Sequence, residues 1–289
     1  MGAVQATVGI IMNGLTISAM YILVASGFAL MLNIMGIFNF AHGAIYALGG
    51  YLVYGFGTSL GINDIAALVL AMVACALLGF GLERFAWRPF SNNILGVVVI
   101  SIALIFVIET TLNLLYGGSA MRVSAFVNGN VHVGFFSTSW SRIFTLAVGI
   151  VVLTALTLFI AKTRAGQRML AASQDKVGAQ LQGININRSA AYASAIACAA
   201  AALAGGLMGS LLSLNPYMGD SPLTKAIEVV ILSGFGSIGG VFFGGLIIGF
   251  LDATLQVFFN TGTSSAISMS VIILILIVRP KGLFGYEMQ

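Results

Sequence analysis

Charged residues are scarce in this sequence. Lys, Arg, Asp and Glu together make up 7% of the 289 residues, whereas 59% are hydrophobic, and the mean hydropathy is +1.06. Soluble domains carry about 25% charged residues. A water-facing surface cannot be built from this composition, so the chain is predicted to be surrounded by lipid. The formal net charge of +4 is small and confined to a few loops, which argues against a nucleic-acid partner.

Several functional motifs are also missing. No GxxxxGK[ST] motif occurs, so the chain is not expected to bind ATP through a P-loop of its own. It has no HExxH, CxxC or clustered metal ligands, and no nucleophile and base at helical spacing, so neither a metal site nor an enzyme activity is predicted. The two cysteines, Cys75 and Cys198, lie in apolar runs and are expected to pack as small hydrophobic residues. The N-terminus lacks the basic region of a cleaved signal peptide.

Long apolar runs are the main positive feature. Barrel strands would alternate in polarity over about 10 residues, whereas these runs are continuous and about as long as the roughly 20 residues of a membrane-crossing helix. We therefore predict an all-α bundle of about eight or nine spans, some short or broken, in one transmembrane domain over residues 1–289. The predicted spans are 8–34, 37–58, 62–82, 94–116, 143–161, 190–213, 223–236, 240–259 and 264–278.

Two of these spans are unusual. The run 223–236 is short for a crossing and leads into SGFGSIGG. The stretch 36–50, which includes the first part of the span 37–58, is interrupted by Asn39 and His42. Half-helices and re-entrant segments both fit this pattern, because irregular backbone at membrane depth is tolerated only inside the protein.

Lysine and arginine cluster in three places. Five of the twelve fall in 162–188, and others lie in 83–93 and at 279–281. Because cytoplasmic loops are enriched in these residues, the three segments are predicted to be cytoplasmic, with the N-terminus outside and the C-terminus inside. Arg122 and Arg142 lie against this trend, in the predicted external segment 117–142.

The segment 162–188 is the one sizeable polar loop. One stripe at helical spacing contains Leu170, Val177, Leu181 and Ile184, and a second contains Met169, Ala172, Lys176 and Ala179. Gly178 and Gly183 disfavour a continuous helix, so we predict two short helices with a bend. An apolar stripe outside the bilayer must be shielded from water by another surface. A groove on a soluble partner would supply it, and so would the lipid surface with the basic residues on anionic headgroups.

The stretch RAGQRMLAASQDKVGAQLQGIN within this loop resembles the coupling loop of bacterial ATP-binding-cassette importer permeases. The coupling residues implied are Gly166, Arg168, Ala172, Gln174, Asp175, Ala179, Gly183 and Ile184. In that family the loop docks into a cleft of a cytoplasmic ATPase. The resemblance thus implies two ATPase subunits as partners, which carry ATP and Mg, and no cofactor in this chain. Gly183 is expected to end the docking helix in a left-handed cap.

Two further segments, GIFNFAHGAIYALGGY over 36–51 and KAIEVVILSGFGSIGGVFFGGLIIGFLD over 225–252, resemble the two signatures of branched-chain amino acid importer permeases of the H type. The resemblance implies a transport subunit of the bacterial inner membrane. Such a subunit receives its cargo from a periplasmic binding protein and pairs with a paralogous permease or with itself. Urea and short-amide permeases carry similar signatures, and the chain departs from the usual pattern at Ala44 and Gly239. Urea, short amides and aromatic acids therefore stay open as cargo.

Four polar residues inside apolar runs are predicted to line the substrate pathway: Asn39, His42, Glu109 and Asp252. Polar groups at membrane depth are costly and tend to face the bundle interior or water. Structural bonds explain them equally well, since Asn39 and His42 flank a broken helix and Lys225 is spaced to pair with Glu228. Intramembrane carboxylates would also serve a stand-alone secondary transporter or channel, which is the alternative from another class.

Glycines repeat at four-residue spacing near the C-terminus, as Gly236, Gly240 and Gly244. Small residues at this spacing let helix backbones approach closely. They are predicted to pack helices within one subunit, with a seam between two permease subunits as the alternative.

Overall fold

The computed structural model describes residues 2–91, 93–133, 136–234 and 236–284, and in these ranges the chain is a bundle of α-helices with one small hairpin. The helices are α1 (Gly2–Met35), α2 (His42–Tyr54), α3 (Asp64–Leu82), α4 (Ile94–Tyr116), α5 (Trp140–Lys162), α6 (Arg164–Gln174), α7 (Lys176–Leu181), α8 (Ile186–Leu211), α9 (Asp220–Ser233), α10 (Ile238–Phe258) and α11 (Thr261–Val278). The hairpin pairs β1 (Asn130–Val133) with β2 (Phe136–Ser139) in antiparallel fashion. The predicted all-α class is confirmed.

Most helices begin at a polar residue just outside an apolar run. The side chains that accept a hydrogen bond from the first turn are Asn63, Asn93, Ser139, Thr163, Asp175, Asn185, Ser237 and Asn260. Such residues satisfy amide groups that the helix leaves unpaired. These caps move several boundaries away from the predicted spans, so that α5 begins at Trp140 instead of 143 and α8 at Ile186 instead of 190.

Seven helices of the described ranges are long and apolar enough to cross a bilayer, namely α1, α3, α4, α5, α8, α10 and α11. The central helix α1 packs against α8, α9 and α10, and α8 packs against α2 and α3. The outer helices α4 and α11 expose large apolar side chains such as Leu95, Leu114 and Ile277. Lipid solvates those faces, whereas α1 and α8 bury most of their residues inside the protein.

The first interrupted crossing begins at the end of the bundle that carries α6 and α7. There, Lys176 Nζ donates a hydrogen bond to the carbonyl of Met35 (3.1 Å). The chain then runs through the irregular segment 36–41 into α2 and a π-helical turn (Gly55–Ser59). At the other end of the bundle, Gly55 lies beside Tyr116, the last residue of α4. Irregular backbone thus fills one half of this crossing and a short helix the other.

The second interrupted crossing also begins with an irregular segment, but it runs through the bundle in the opposite direction. Its irregular segment 212–219 starts at the far end, where Leu214 exchanges backbone hydrogen bonds of 2.7 and 3.2 Å with Met121. The helix α9 then returns to the α6–α7 end, where Gly236 N donates to the side chain of Asn33 (3.1 Å). Of the two alternatives that the sequence left open, half-helix and re-entrant segment, each interrupted run forms a half-helix after an irregular segment. With the seven long helices they make nine candidate crossings in the described part of the chain, in line with the approximate count of eight or nine.

The half-helices α2 and α9 begin next to each other inside the bundle. A Cβ added to Gly43 would lie 2.5 Å from the carbonyl oxygen of Gly219, so glycine is needed for this close approach. His42, which opens α2, contacts Val24 in the middle of α1. The positive ends of two short helix dipoles therefore meet near the centre of the membrane-spanning region.

Candidate functional site

Asn39 and His42 lie fully buried at the irregular start of the first interrupted crossing. Asn39 Oδ1 accepts a hydrogen bond from Ala41 N (3.1 Å), and its Nδ2 lies 3.5 Å from Met31 Sδ. His42 Nε2 lies 3.1 Å from the carbonyl oxygen of Val24. The contact of Asn39 with Ala41 satisfies a backbone amide freed by the break in the helix, whereas His42 Nδ1 is buried without a hydrogen-bond partner in the described part of the chain. A direct contact of either residue with substrate stays a prediction.

A buried ionic cluster joins α9 to α10 and α1. Lys225 Nζ lies 3.0 Å from Glu228 Oε2 and 3.1 Å from Asp252 Oδ2. Tyr21 donates its hydroxyl hydrogen to Asp252 Oδ2 (2.9 Å). The three charged side chains are only 3%, 8% and 2% exposed. The predicted pairing of Lys225 with Glu228 is confirmed, and the two carboxylates leave the cluster with an excess of negative charge.

A cavity of about 360 Å³ opens beside this cluster, on the side of the bundle away from α6 and α7. Asp252 and Tyr21 line one part of its wall, and Ser221 and Pro222 present the first turn of α9. The apolar part of the wall consists of Ile17, Met20, Val24, Met208, Leu211, Leu212 and Met218. Pockets for small molecules typically combine a mostly apolar wall with a few polar groups, in volumes of about 300–1,000 Å³.

Arg142 supplies a positive charge to the same cavity wall. Its side chain is half-buried, and within the described ranges it forms no ion pair. In the sequence, Arg142 stands out only as an exception to the charge bias of the loops. In the structure, Arg142 lines a cavity whose wall also contains the carboxylate of Asp252, which lies on another helix.

Glu109 lies in α4, outside this cavity. Its side chain is buried. Its place on the pathway stays a prediction.

The three glycines of the C-terminal repeat occupy different environments. Gly236 lies in the turn before α10, so it does not share a helical face with the other two. A Cβ on Gly240 would lie 3.1 Å from Ser233 O, and one on Gly244 would meet the Ser233 side chain. Both glycines of α10 therefore pack against α9 of the same chain. The four-residue spacing across Gly236 failed as a helical pattern because Ser237 caps α10 after it.

The helices α6 and α7 are anchored to the end of the bundle by their small residues. A Cβ on Gly166 would lie 2.5 Å from Ile160 Cα, so α6 approaches the end of α5 closely. Met169 and Ala172 are buried against α1 and α5, and Ala179 of α7 is buried as well. Three of the four residues in the predicted stripe of smaller residues are thus covered by this chain, whereas Lys176 is exposed.

The two short helices predicted for this loop are present, and the bend between them lies at Asp175. Asp175 has an extended backbone and caps α7 by accepting hydrogen bonds from Val177 N (2.9 Å) and Gly178 N (3.0 Å). At the other end, Gly183 has φ +77°, and its N–H donates to Gln180 O. The left-handed cap predicted for Gly183 is confirmed, in the form of a Schellman motif.

The break at Asp175 also divides the larger apolar stripe. Leu170 is half-buried against the bundle, whereas Val177 and Leu181 of α7 are 66% and 83% exposed. Arg168 and Gln174 are exposed beside them, and Ile184 is half-buried after the cap. The surface left for a partner is therefore α7 itself with its flanking residues, a smaller area than the loop-wide stripe that the sequence predicted.

Metal-binding clusters of three or more His, Cys, Asp or Glu residues are not found among the described residues. Cys75 and Cys198 are buried and free, as expected of small hydrophobic residues in α3 and α8.

The fold defines a polytopic membrane protein with two discontinuous crossings and a helical loop at one end. Residues 10–278 match the family model of the branched-chain amino acid transport system / permease component. The chain belongs to this family of multi-pass membrane permeases.

Individual relatives agree with this assignment over nearly the full length. The high-affinity branched-chain amino acid transport system permease protein LivH of Escherichia coli K12 is 33% identical, with 94% of each chain covered. The corresponding permease protein BraD of Pseudomonas aeruginosa is 30% identical, with 95% of this chain and 94% of BraD covered. PsaBC from Streptococcus pneumoniae, solved in complex with Fab, matches with a TM-score of 0.52 at 15% identity, over 94% of this chain and 92% of that chain. At that identity the match supports the fold alone.

Proposed function

We propose that this chain is the permease subunit of an ATP-binding-cassette importer that moves branched-chain amino acids across the bacterial inner membrane. The observation that carries the proposal is the helix α7, which is fixed to the bundle yet presents exposed Val177 and Leu181 to a partner. A transporter that works without an ATPase has no need of such a surface. The branched-chain permeases LivH and BraD support the choice of cargo.

The orientation follows from charge and from the number of crossings. Nine crossings would leave the chain ends on opposite sides, and the position of Phe284, the last described residue, beside Ser233 at the α6–α7 end supports this. Five lysines and arginines fall in the loop at that end. The positive-inside bias therefore puts α6, α7 and the C-terminus in the cytoplasm and the N-terminus outside.

Energy coupling is assigned to α6, α7 and their flanking residues. Two cytoplasmic ATPase subunits would bind ATP and Mg, and one of them would cover α7 by the helix-in-groove mode. Gly166, Ala172 and Ala179 would transmit its movement through their contacts with the bundle. Arg168, Gln174 and Asp175 would contact the partner at the exposed surface, while Gly183 and Ile184 would fix the end of the docking helix.

The outer cavity is the proposed entry site for substrate. An amino acid carries a carboxylate and an ammonium group, and the cavity offers Arg142 for the first and Asp252 for the second. The first turn of α9 adds its positive dipole end for the carboxylate, as in transporters with discontinuous helices. The apolar wall suits a branched aliphatic side chain. A periplasmic binding protein would deliver the substrate to this outward-facing mouth, and a paralogous permease or a second copy would complete the membrane dimer.

The overall proposal predicts ATP-dependent uptake. The full-length chain, reconstituted in liposomes with its ATPase subunits, partner permease and binding protein, is expected to import leucine, isoleucine and valine only when ATP is inside. Ion-gradient-driven uptake by this chain alone would instead establish a secondary transporter. A binding protein that takes urea, a short amide or an aromatic acid and ignores leucine would overturn the assigned cargo.

Replacing Arg142 by glutamine is expected to lower leucine uptake by about tenfold or more, because loss of a charge-assisted contact leaves the substrate carboxylate unpaired. The measurement is initial uptake of radiolabelled leucine at equal amounts of transporter in the membrane. Arg122→Gln is the matched control, since Arg122 is an exposed arginine on the same side that does not line the cavity. Equal uptake by the Arg142 and Arg122 variants would remove the cavity from the substrate route.

A further inference from the structure

A second pocket, of about 330 Å³, lies where the cytoplasmic end of α3 meets the beginning of α8. Three arginines line it, Arg84 and Arg88 from the helical turns that follow α3 and Arg188 from α8. It is separate from the outer cavity and from the exposed face of α7. Neither the transport proposal nor the coupling proposal uses it.

The three arginines do not have the same role. Arg88 donates hydrogen bonds from Nε and Nη2 to the two oxygens of buried Glu83 (3.0 and 2.7 Å), so its charge is neutralised. Its guanidinium also lies 3.4 Å from the carbonyl oxygen of Asn187, which ties the two helices together. Arg84 and Arg188 are exposed, and in the described part of the chain neither has an ion-pair partner. The pocket therefore has an excess of two positive charges.

The surface of α3 that leads to the pocket is apolar and exposed. Val73, Leu77 and Phe80 are exposed on α3 at helical spacing, and Arg84 continues the same stripe at its end. On α8, exposed Tyr192 lies one turn from Arg188. Aromatic residues with one polar end concentrate where hydrocarbon gives way to headgroups. The pocket thus lies at headgroup level, with room for an acyl chain along α3.

We propose that this pocket binds the phosphate headgroup of an anionic phospholipid, with Arg84 and Arg188 as its ligands and the acyl chains along the stripe of Val73, Leu77 and Phe80. Arginine matches phosphate by bidentate hydrogen bonds, and basic pockets between transmembrane helices on the cytoplasmic side bind such headgroups. A bound lipid would fill the groove between α3 and α8 next to Asn185, the cap that begins α8 after the coupling helices.

The test is native mass spectrometry and thermal unfolding of the purified full-length chain in detergent, with added phosphatidylglycerol. Wild-type chain is expected to retain phosphatidylglycerol over phosphatidylcholine and to unfold at a higher temperature with it. Each lost arginine is expected to weaken binding by about fivefold, so the Arg84→Ala/Arg188→Ala variant should lose most of it. The variant is expected to fold, because both side chains are exposed and unpaired. Arg164→Ala/Arg168→Ala is the matched control, two arginines on the same side outside the pocket.

Three results would overturn the proposal. One is equal lipid binding by the pocket variant and the control variant, which would mean that only the general charge of this side attracts lipid. Another is equal retention of phosphatidylcholine. The third is displacement of phosphatidylglycerol by millimolar inorganic phosphate, which would identify a soluble anion as the ligand. Lipid retention that survives inorganic phosphate and is lost only in the pocket variant supports the lipid headgroup.

Discussion

A Leu181→Asp variant is expected to insert into the membrane normally but to lose nearly all ATP-driven leucine uptake. Leu181 is 83% exposed on α7, so the substitution leaves the packing of the bundle unchanged. In an apolar groove of the ATPase, however, the new carboxylate would be buried without a partner. Losing such a central contact weakens binding by about 2 kcal/mol or more, roughly thirtyfold. The measurements are co-purification of the ATPase subunits and uptake in the reconstituted transporter.

The matched control is Leu60→Asp. Leu60 is similarly exposed at 67%, but it lies after α2 at the opposite end of the bundle. The control should transport as the wild type does, and a Val177→Asp variant should behave like Leu181→Asp. If Leu181→Asp retained both the ATPase subunits and uptake, α7 would not be the coupling helix, and the placement of this loop in the cytoplasm would lose its main functional support. A Gly183→Arg variant is less informative, because Gly183 has a φ of +77°, at which any side chain is strained.

Features that depend on local sequence were predictable. The long apolar runs identified the seven full helices, and the interruptions at Asn39 and in 223–236 identified the two broken crossings. The cap at Gly183 was predictable because a left-handed residue after a short helix favours glycine. In each case the physical cause lies within a few residues of the feature.

Features that join distant parts of the chain were not predictable from one sequence. Tyr21 and Asp252 are 231 residues apart, and their hydrogen bond depends on how α1 packs against α10. The same holds for the meeting of α2 and α9 at Gly43 and Gly219. Arg142 did carry a signal, since it broke the charge bias of the external loops, but only the packed bundle shows which cavity it lines.

The loop illustrates how a local cap overrides a periodic pattern. Leu170, Val177 and Leu181 fit one helical face, but the Asp175 carboxylate captures the amide groups of Val177 and Gly178 and starts a new helix. Leu170 then turns toward the bundle, and the partner surface shrinks to α7. Gly178 and Gly183 correctly indicated two short helices, and Asp175 sets the position of the bend, because its carboxylate forms cap hydrogen bonds that glycine cannot form.

Replacing Lys225 by methionine is expected to destabilise the protein more than any other single change considered above. Glu228 and Asp252 would remain buried with no cation between them, and removing one partner of a buried ion pair costs about 3–5 kcal/mol. Because the cluster joins α9 to α10 and α1, α9 should detach from its neighbours. The measurements are monodispersity and thermal unfolding of the purified chain, with Lys162→Met, a change at an exposed lysine, as the control.

A triple variant separates stability from transport. In Lys225→Met/Glu228→Gln/Asp252→Asn no unpaired charge is left, so most of the lost stability should return, as it does when buried ion pairs are replaced as a unit. Uptake should not return, because an amide in place of the Asp252 carboxylate would offer the substrate ammonium no negative charge. A triple variant that stayed unstable would show that the cluster acts through more than charge balance. A stable triple variant with wild-type uptake would confine Asp252 to holding α9 in place, and the cavity would then need another group for the ammonium.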